Sequence, residues 1–229
     1  RPSGIIAMKL HTGDKIIGVA ICSERDDILL TTREGKAIRF PVKDIRIFKG
    51  RASSGIRGIK LKKNDQVLSL MIVNHIDASY DELRAYLRMA SFSRKDEMSD
   101  SELVDANEDV NVQIPPEKYS ELVASEQFIL AITEKGYGKR SSLYEYRTTK
   151  RGGSGIIAMK LTEKNGKIAS SFPINTNDDI MLISDQGRAM RTGVSKIRIG
   201  GRNTQGVKVF SVSGKERVTS ADKIEEQAE

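Results

Sequence analysis

The sequence lacks several features on which common protein classes depend. It contains no Trp, 5% aromatic residues and 38% hydrophobic residues, which is low for one thick core and suits thin repeated units. No run of 18 apolar residues occurs, so no membrane-spanning segment is predicted. The only cysteine is Cys22, which excludes an internal disulfide and indicates a reducing cytoplasm.

Residue groupings that form catalytic or metal sites are also missing from the sequence. Two His and one Cys are too few and too scattered for a zinc site, and the acidic stretch 96–109 lacks EF-hand spacing. Residues 153–158 have the spacing of a dinucleotide fingerprint but open a strand, and 201–206 lack the Lys-Ser/Thr of a P-loop. The sequence therefore predicts no catalytic residue, metal, cofactor or small-molecule substrate in this chain.

The formal charge of +7 is unevenly distributed along the chain. Residues 75–125 contain twelve Asp or Glu and five Lys or Arg, a net charge of −7, so the remaining residues carry +14. An excess of this size on one part of a chain indicates a polyanionic partner, although the same charge could serve only solubility. Composition leaves both interpretations open.

An internal repeat is the strongest signal in the sequence. The heptapeptide Gly-Ile-Ile-Ala-Met-Lys-Leu occupies 4–10 and again, identically, 155–161. Related copies begin at Gly55 and Gly206, so the leading glycines are separated by 51, 100 and 51 residues. Two motifs share this register, since a second one recurs at 27–39, 128–140 and 179–191.

Each repeat has the pattern of short β-strands joined by tight turns. Hairpin glycines stand between apolar runs at Gly35, Gly136 and Gly187, where a positive φ is needed. We therefore predict about four strands per unit, near 4–10, 15–21, 27–33 and 36–41 in the first unit. Units of this size are typical of propeller blades, so the predicted fold class is all-β, with propeller-like repeats of four-stranded blades in a partial ring.

The second spacing is long because it contains an insertion, at about 75–125. Leu83, Tyr86 and Leu87 have helical spacing over 81–89, with Ser79 or Asp77 as cap, and a second helix is predicted from Pro115 through Val123. Residues 95–113 are acidic and expected to be mobile. The predicted sequence units are a blade at 1–54, a blade with the insertion at 55–154, a blade and the start of a closing strand at 155–213, and a loose acidic tail at 214–229.

The repeats resemble the C-terminal β-pinwheel domain of the DNA gyrase A protein. Residues 149–155 are similar to that family's Gln-Arg-Arg-Gly-Gly-Lys-Gly box: they keep Arg151, Gly152, Gly153 and Gly155, and depart from it at Thr149 and Ser154. More degenerate versions lie at 50–55 and 201–206. The similarity covers about 1–74 and 126–213, roughly three of the family's six blades, and leaves the insertion outside. The full box is absent, so positive wrapping of DNA cannot be assigned to this chain.

The resemblance implies binding and wrapping of duplex DNA without sequence specificity. It also implies an enzyme of which this chain is a non-catalytic part: an ATP-hydrolysing type II topoisomerase that supercoils DNA negatively, with ATP and Mg held by the core and by the gyrase B protein. The implied partners are double-stranded DNA, the rest of gyrase A and gyrase B in a heterotetramer, with no membrane. The implied location is the cytoplasm, at the nucleoid. No Tyr follows an Arg, as the family's cleaving Tyr does, which agrees with a non-catalytic role.

Basic residues recur after the hairpin glycines and before the glycines that open the next repeat. Phosphate contacts position DNA without reading its sequence, so we expect these residues to form a continuous outer track for the duplex. Gly152 and Gly153 would let backbone N–H groups approach a phosphate, as an alternative to a purely structural corner. The predicted DNA-binding residues are Lys36, Arg39, Arg51, Arg57, Lys139, Arg140, Lys150, Arg151, Gly152, Gly153, Arg188, Arg191 and Arg202.

Three alternatives remain open from the sequence. The C-terminal domain of the topoisomerase IV counterpart of gyrase A carries fewer and more degenerate blades, and a protein-interaction propeller could use the acidic insertion to dock. An enzyme with its active site in a central channel would need convergent catalytic groups, which the repeats do not offer. Because the insertion is acidic, we also expect its deletion to raise DNA affinity at low salt.

Overall fold

The computed structural model describes residues 4–94 and 113–224, and it confirms the predicted all-β class. These residues form three antiparallel sheets, which we call blades A, B and C, and two α-helices. No helix among residues 4–94 and 113–224 is long and apolar enough to cross a membrane.

Blade A is a four-stranded sheet in the order β3-β1-β2-β6. Its centre is the hairpin of β1 (Asp26–Thr32) and β2 (Lys36–Pro41), which turns at Gly35 with a φ of 77°. β3 (Val67–Asn74) pairs with the far side of β1, and β6 (Ile156–Ile157) pairs with β2.

Blades B and C repeat this plan. Blade B has the order β10-β5-β4-β7, and blade C has the order β11-β8-β9 without a fourth strand among the described residues. The strands of blade B are β4 (Phe128–Thr133), β5 (Tyr137–Ser142), β7 (Ile168–Ile174) and β10 (Val207–Lys208). Those of blade C are β8 (Asp179–Ser184), β9 (Ala189–Gly193) and β11 (Val218–Ile224).

Successive blades exchange strands. After β5 of blade B the chain returns to blade A and adds β6, and after β9 of blade C it returns to blade B and adds β10. The boundaries predicted from the sequence, at 1–54, 55–154 and 155–213, stay a prediction about repeats in the chain. They do not mark off the sheets, because each sheet takes strands from both sides of a boundary. Strand exchange ties neighbouring blades together through backbone hydrogen bonds.

Buried side chains fill the spaces between blades as well as within them. Leu29 and Ala37 of blade A share a cluster with Ile129 of blade B, and Leu130 and Ile132 of blade B share one with blade C. A short 3₁₀ helix follows the hairpin in each blade, at Val42–Asp44, Leu143–Glu145 and Val194–Lys196. Both faces of the central hairpins are therefore buried in blades A and B.

The insertion contains the two predicted helices. α1 (Tyr80–Ser93) begins at a capping box in which Ser79 accepts from the backbone N–H of Glu82, which confirms Ser79 rather than Asp77 as the cap. α2 (Pro116–Ser125) has Pro116 in its first turn. The helices pack over the 3₁₀ helix of blade B, where Tyr144 is buried with Tyr86 and Leu122. The prediction of a mobile acidic stretch at 95–113 falls almost wholly outside the described residues.

Two expectations about the ends of the repeat region are wrong. Residues 4–10 and 15–21 form no regular strand, because the described chain offers them no hairpin with which to pair. Val218–Ile224 is not loose, since it forms β11 and pairs along its length with β8. β11 occupies in blade C the place of β3 in blade A and β7 in blade B.

Candidate nucleic-acid interface

The predicted basic residues divide into three groups by exposure. Arg51, Arg57, Lys150, Arg151, Arg188 and Arg191 are exposed, Lys36 and Arg202 are half-buried, and Arg39, Lys139 and Arg140 are buried. The outer track expected from the sequence therefore does not include all of them. Contact of the exposed residues with DNA stays a prediction.

Arg39 points into the protein and not towards solvent, so its prediction as a DNA contact is wrong. Its guanidinium pairs with the buried carboxylate of Asp27 at 2.8 Å and donates to the carbonyls of Leu143 and Tyr146 in the next blade. Burial lowers the pKa of Arg39 from its ordinary value, an effect that Asp27 opposes. The residue connects blade A to the 3₁₀ helix of blade B.

Arg140 and Lys139 are buried for related reasons, and their predicted exposure is wrong too. Arg140 Nε donates to the carbonyl of Ile197 at 2.6 Å, directly after the 3₁₀ helix of blade C. Blade B therefore contacts blade C in the way that Arg39 connects blade A to blade B. Lys139 Nζ donates to the carbonyls of Gly201 and Arg202, each at 2.6 Å. The residue after the hairpin glycine is Lys36 in blade A and Arg188 in blade C, but it is Tyr137 in blade B, so blade B has no basic residue at that position.

Arg191 occupies the register position of Arg39 and Arg140, but in blade C that position is exposed. It pairs with Asp179 at 2.6 Å, with about half of its side chain accessible, and Asp179 stands where blade A has Asp27. Arg188 is similarly exposed and pairs with Glu216 at 2.8 Å. Both are available to solvent, with an acidic neighbour that lowers their attraction for a phosphate.

The residues before each leading glycine form a recurring junction between blades. Arg151 donates through Nη1 to the carbonyl of Arg57, and Arg202 donates through Nη1 to the carbonyl of Ile157. These acceptors are equivalent, each two residues beyond a leading glycine. Both guanidinium groups are thereby anchored to backbone carbonyls at the junctions, and Arg151 is nevertheless exposed.

Gly152, the first glycine of the best-preserved box, has a structural role. Gly152 adopts a φ of 81°, which favours glycine, and its N–H donates to the carbonyl of Gly58. That N–H is therefore not available to a phosphate, and the prediction for Gly152 is corrected accordingly. Gly153 is exposed, and its carbonyl accepts from the backbone N–H of Lys60.

Sequence reasoning missed three lysines that the fold brings to the junctions. The backbone N–H groups of Lys9, Lys60 and Lys160 donate to the carbonyls of Ser53, Gly153 and Thr204, which occupy equivalent positions. All three lysines are exposed. The signal was present in the repeat itself, because each is the sixth residue of a heptapeptide copy. Arg46 and Arg147, exposed after the 3₁₀ helices, recur in the same register and were also missed.

The acidic residue near the junction of blades B and C is drawn into the protein. Glu145, in the 3₁₀ helix of blade B, accepts from the backbone N–H of Arg202 at 2.6 Å. Burial raises the pKa of Glu145, and the Arg202 hydrogen bond and Lys139 oppose that rise. Its counterpart in blade A, Asp44, is exposed, and the backbone carbonyl of Asp44 accepts from Arg151 Nε.

This fold and these junctions define a strand-exchanged β-propeller protein with a basic surface at each boundary between blades. The model of the DNA gyrase C-terminal domain, β-propeller, matches residues 1–23, 26–74, 127–175 and 178–225. The chain belongs to this family. The matched ranges leave out the helical insertion.

Known relatives agree with the family. The chain is 44% identical to the DNA gyrase A protein of Granulibacter bethesdensis over 96% of its length, and 41% identical to that of Rickettsia bellii over 99%. In both cases it spans about a quarter of the relative's length (25%). A solved DNA gyrase A C-terminal domain matches 97% of this chain and 58% of its own, with a TM-score of 0.68 at 21% identity.

A C-terminal domain of DNA topoisomerase IV has a similar fold. It matches 94% of this chain and 52% of its own, with a TM-score of 0.66 at 18% identity. At that identity the likeness concerns the fold alone. The family model and the sequence relatives are those of gyrase.

Proposed function

We propose that this chain binds duplex DNA from the outside, without sequence specificity, and wraps it across successive blades. The observation that carries the proposal is the recurrence of exposed cations at equivalent places in three junctions. Lys9 with Arg51, Lys60 with Arg151, and Lys160 with the half-buried Arg202 stand at these places. The family of the chain supports the same function.

The character of these contacts favours phosphate binding over base reading. Lys and Arg held at loops between blades can reach phosphates, and phosphate contacts carry no sequence information. Because the cations recur with the blades, a duplex that follows them has to bend. Bending a site of 20–30 base pairs by 40–90° costs roughly 1–6 kcal/mol, which several junctions must offset together.

The chain is proposed to act as one part of a larger enzyme. In that view it serves DNA gyrase A, acts together with gyrase B, and supports ATP-dependent negative supercoiling in the cytoplasm at the nucleoid. ATP hydrolysis and DNA cleavage then belong to other parts of the assembly. This chain contributes the surface that guides DNA and holds no catalytic group of its own.

Charge reversal at the junctions tests the proposal. We expect the Lys60→Glu/Lys160→Glu variant to bind a random duplex severalfold more weakly. Its log–log salt slope should be shallower by about 1.8, because each lost phosphate contact removes about 0.9. The matched control is Lys63→Glu/Lys215→Glu, which makes the same charge change at exposed lysines that take no part in the junction hydrogen bonds.

Fluorescence anisotropy with labelled duplex, repeated over a salt series, measures both quantities. Equal weakening by the two variants would show that only net charge matters and would contradict a junction site. Absence of salt-dependent duplex binding by the unmodified chain would remove the proposal altogether and favour a protein-interaction role.

A further inference from the structure

Blade B has no basic residue directly after its hairpin glycine, but the strand that pairs there supplies one. In blade A, Lys36 of β2 stands opposite Ile157 of β6. In blade B, Tyr137 of β5 stands opposite Lys208 of β10, in the same register. The basic residue and its uncharged partner have therefore changed strands between the two blades.

This exchange keeps the cation at one place on the sheet. Residues directly opposite each other on one face of an antiparallel pair have Cβ atoms about 4.5–5.5 Å apart. Lys208 therefore presents its ammonium group close to the place that Lys36 holds in blade A. Blade C has Arg188 directly after its hairpin glycine, as blade A has Lys36. Each blade thus has a cation at this place, whichever strand supplies it.

Lys208 is the cation of this set that is best placed to bind an anion. It is exposed, and no Asp or Glu among residues 4–94 and 113–224 forms an ion pair with it. Arg188 is exposed too, but its pair with Glu216 lowers its attraction for a phosphate. Lys36 is half-buried.

Tyr137 brings a second lysine to the same edge of blade B. The Nζ atoms of Lys208 and Lys164 lie 5.0 and 5.7 Å from the centre of the Tyr137 ring. An ammonium group within about 6 Å of a ring centre is attracted to the ring, so both charges are held beside it. Lys164 is exposed but follows the exposed Glu163 in its turn, so Lys208 is the less neutralised of the two lysines.

The strand pair that carries these cations adjoins the basic junctions. In blade A, Ile157 stands opposite Lys36, and its carbonyl accepts from Arg202 Nη1 at 3.0 Å. Lys208 holds in blade B the position of Ile157, two residues beyond the leading glycine. A duplex that contacts the junction cations therefore passes close to the strand pair as well.

We propose that Lys208 binds a phosphate of duplex DNA at the edge of blade B, with Lys164 as a weaker second cation. The proposal rests on the proposed binding of DNA and deepens it. A phosphate contact then requires a cation on either strand of the pair, and not at a fixed position of the repeat. Blade B consequently keeps this contact although Tyr137 interrupts the series of Lys36 and Arg188.

Exchange of the pair tests this assignment. Lys208→Ile removes the cation, whereas Tyr137→Lys/Lys208→Ile installs in blade B the pair that blade A already has. We expect Lys208→Ile to bind a random duplex severalfold more weakly, with a log–log salt slope shallower by about 0.9, and the double variant to recover both. The control Lys215→Ile loses the same charge in an exposed turn outside the strand pair.

Fluorescence anisotropy over a salt series measures the affinity and the slope. Equal weakening by Lys208→Ile and Lys215→Ile, or a double variant that binds no better than Lys208→Ile, would overturn this assignment and leave the junction site intact. An unmodified chain without salt-dependent duplex binding would overturn both.

Chemical modification of the unmodified chain gives a readout that needs no substitution. A bound duplex should slow the acetylation of Lys208 by an amine-reactive reagent more than that of Lys215, as followed by mass spectrometry of the peptides. Equal protection of the two lysines, or protection of neither, would count against a phosphate contact at Lys208.

Discussion

The fourth residue after the hairpin glycine is an arginine in every blade. It is buried where another blade packs over it and exposed in blade C. Arg39, Arg140 and Arg191 share a register position, yet only Arg191 is exposed. The first two are covered by the next blade, whose 3₁₀ helix presents carbonyl groups to them.

The sequence identified the repeat of basic residues but not their burial. A Lys or Arg after a hairpin glycine is ordinarily on a solvated strand, and nothing local to Lys139 or Arg140 indicates otherwise. Their partners are distant along the chain, such as Ile197, 57 residues from Arg140, and Gly201, 62 residues from Lys139. Such contacts follow from how blades stack, which a single repeat does not encode.

Arg39 and Arg191 offer a matched comparison of a buried and an exposed ion pair. Replacing Arg39 by Met should lower the free energy of unfolding by about 3–5 kcal/mol, because the buried Asp27 carboxylate loses its main partner. Arg191→Met, at the half-exposed equivalent, should cost less than about 1 kcal/mol. Urea denaturation measures both, and equal losses would show that burial is not what makes the Arg39 pair important.

At the level of elements, the helices of the insertion were well predicted, whereas their docking was not. Helical spacing, the capping box at Ser79 and the proline at Pro116 are local signals, and both helices lie within a few residues of their predicted bounds. Docking depends on Tyr144, whose hydroxyl donates to the carbonyl of Leu122 at 2.7 Å. Lys43 and Ser195 hold the same position in blades A and C, where they are exposed.

The capping box should make α1 sensitive to acid. Ser79 donates to the Glu82 carboxylate from its hydroxyl and from its backbone N–H, and these bonds lower the pKa of Glu82. A carboxylate with a lowered pKa in the folded state stabilises it above its ordinary pKa, and this contribution is lost as pH falls through the lowered value. The helix cap is therefore strongest near neutral pH.

A Glu82→Gln variant checks the sign of this effect. The urea midpoint of the unmodified chain should exceed that of Glu82→Gln near pH 7, and the difference should shrink as the pH falls below about 4. Glu117→Gln, on an exposed carboxylate of α2, serves as control and should show a smaller difference at every pH. A gap that widens on acidification would contradict the assigned cause.

For the whole molecule, strand exchange is the feature that sequence periodicity could not supply. The repeat predicts four strands per unit, but it does not say whether a unit forms one sheet by itself. In the structure one sheet takes strands from three successive repeats: blade A has β1 and β2 from 1–54, β3 from 55–154, and β6 from the leading heptapeptide at 155–161. Each blade is therefore incomplete without its successor, and cooperativity between neighbours should be high.

The insertion is the other feature of the whole molecule with a consequence for DNA. Residues 176–178 join β7 to β8, at the place where residues 75–127 join β3 to β4. Three residues are therefore enough to make this connection, and the insertion can be replaced by them. A variant with Thr-Asn-Asp in place of 75–127 also needs Tyr144→Ser, since Ser195 occupies that position in blade C and is exposed. This change removes residues 75–127, with a net charge of −8, and adds one Asp, so the net charge of the chain rises by 7.

We expect the shortened chain to bind duplex DNA more tightly at low salt, because the removed segment repels phosphates. The two chains should converge as salt rises, since the Debye length falls to about 3 Å at 1 M. Anisotropy titrations at several salt concentrations measure the difference, with circular dichroism to check that the sheets persist. Unchanged affinity at low salt would mean that the acidic segment lies too far from the DNA to act. Weaker binding would mean that the helices themselves contact the duplex, with the exposed Arg88 of α1 as the first residue to test.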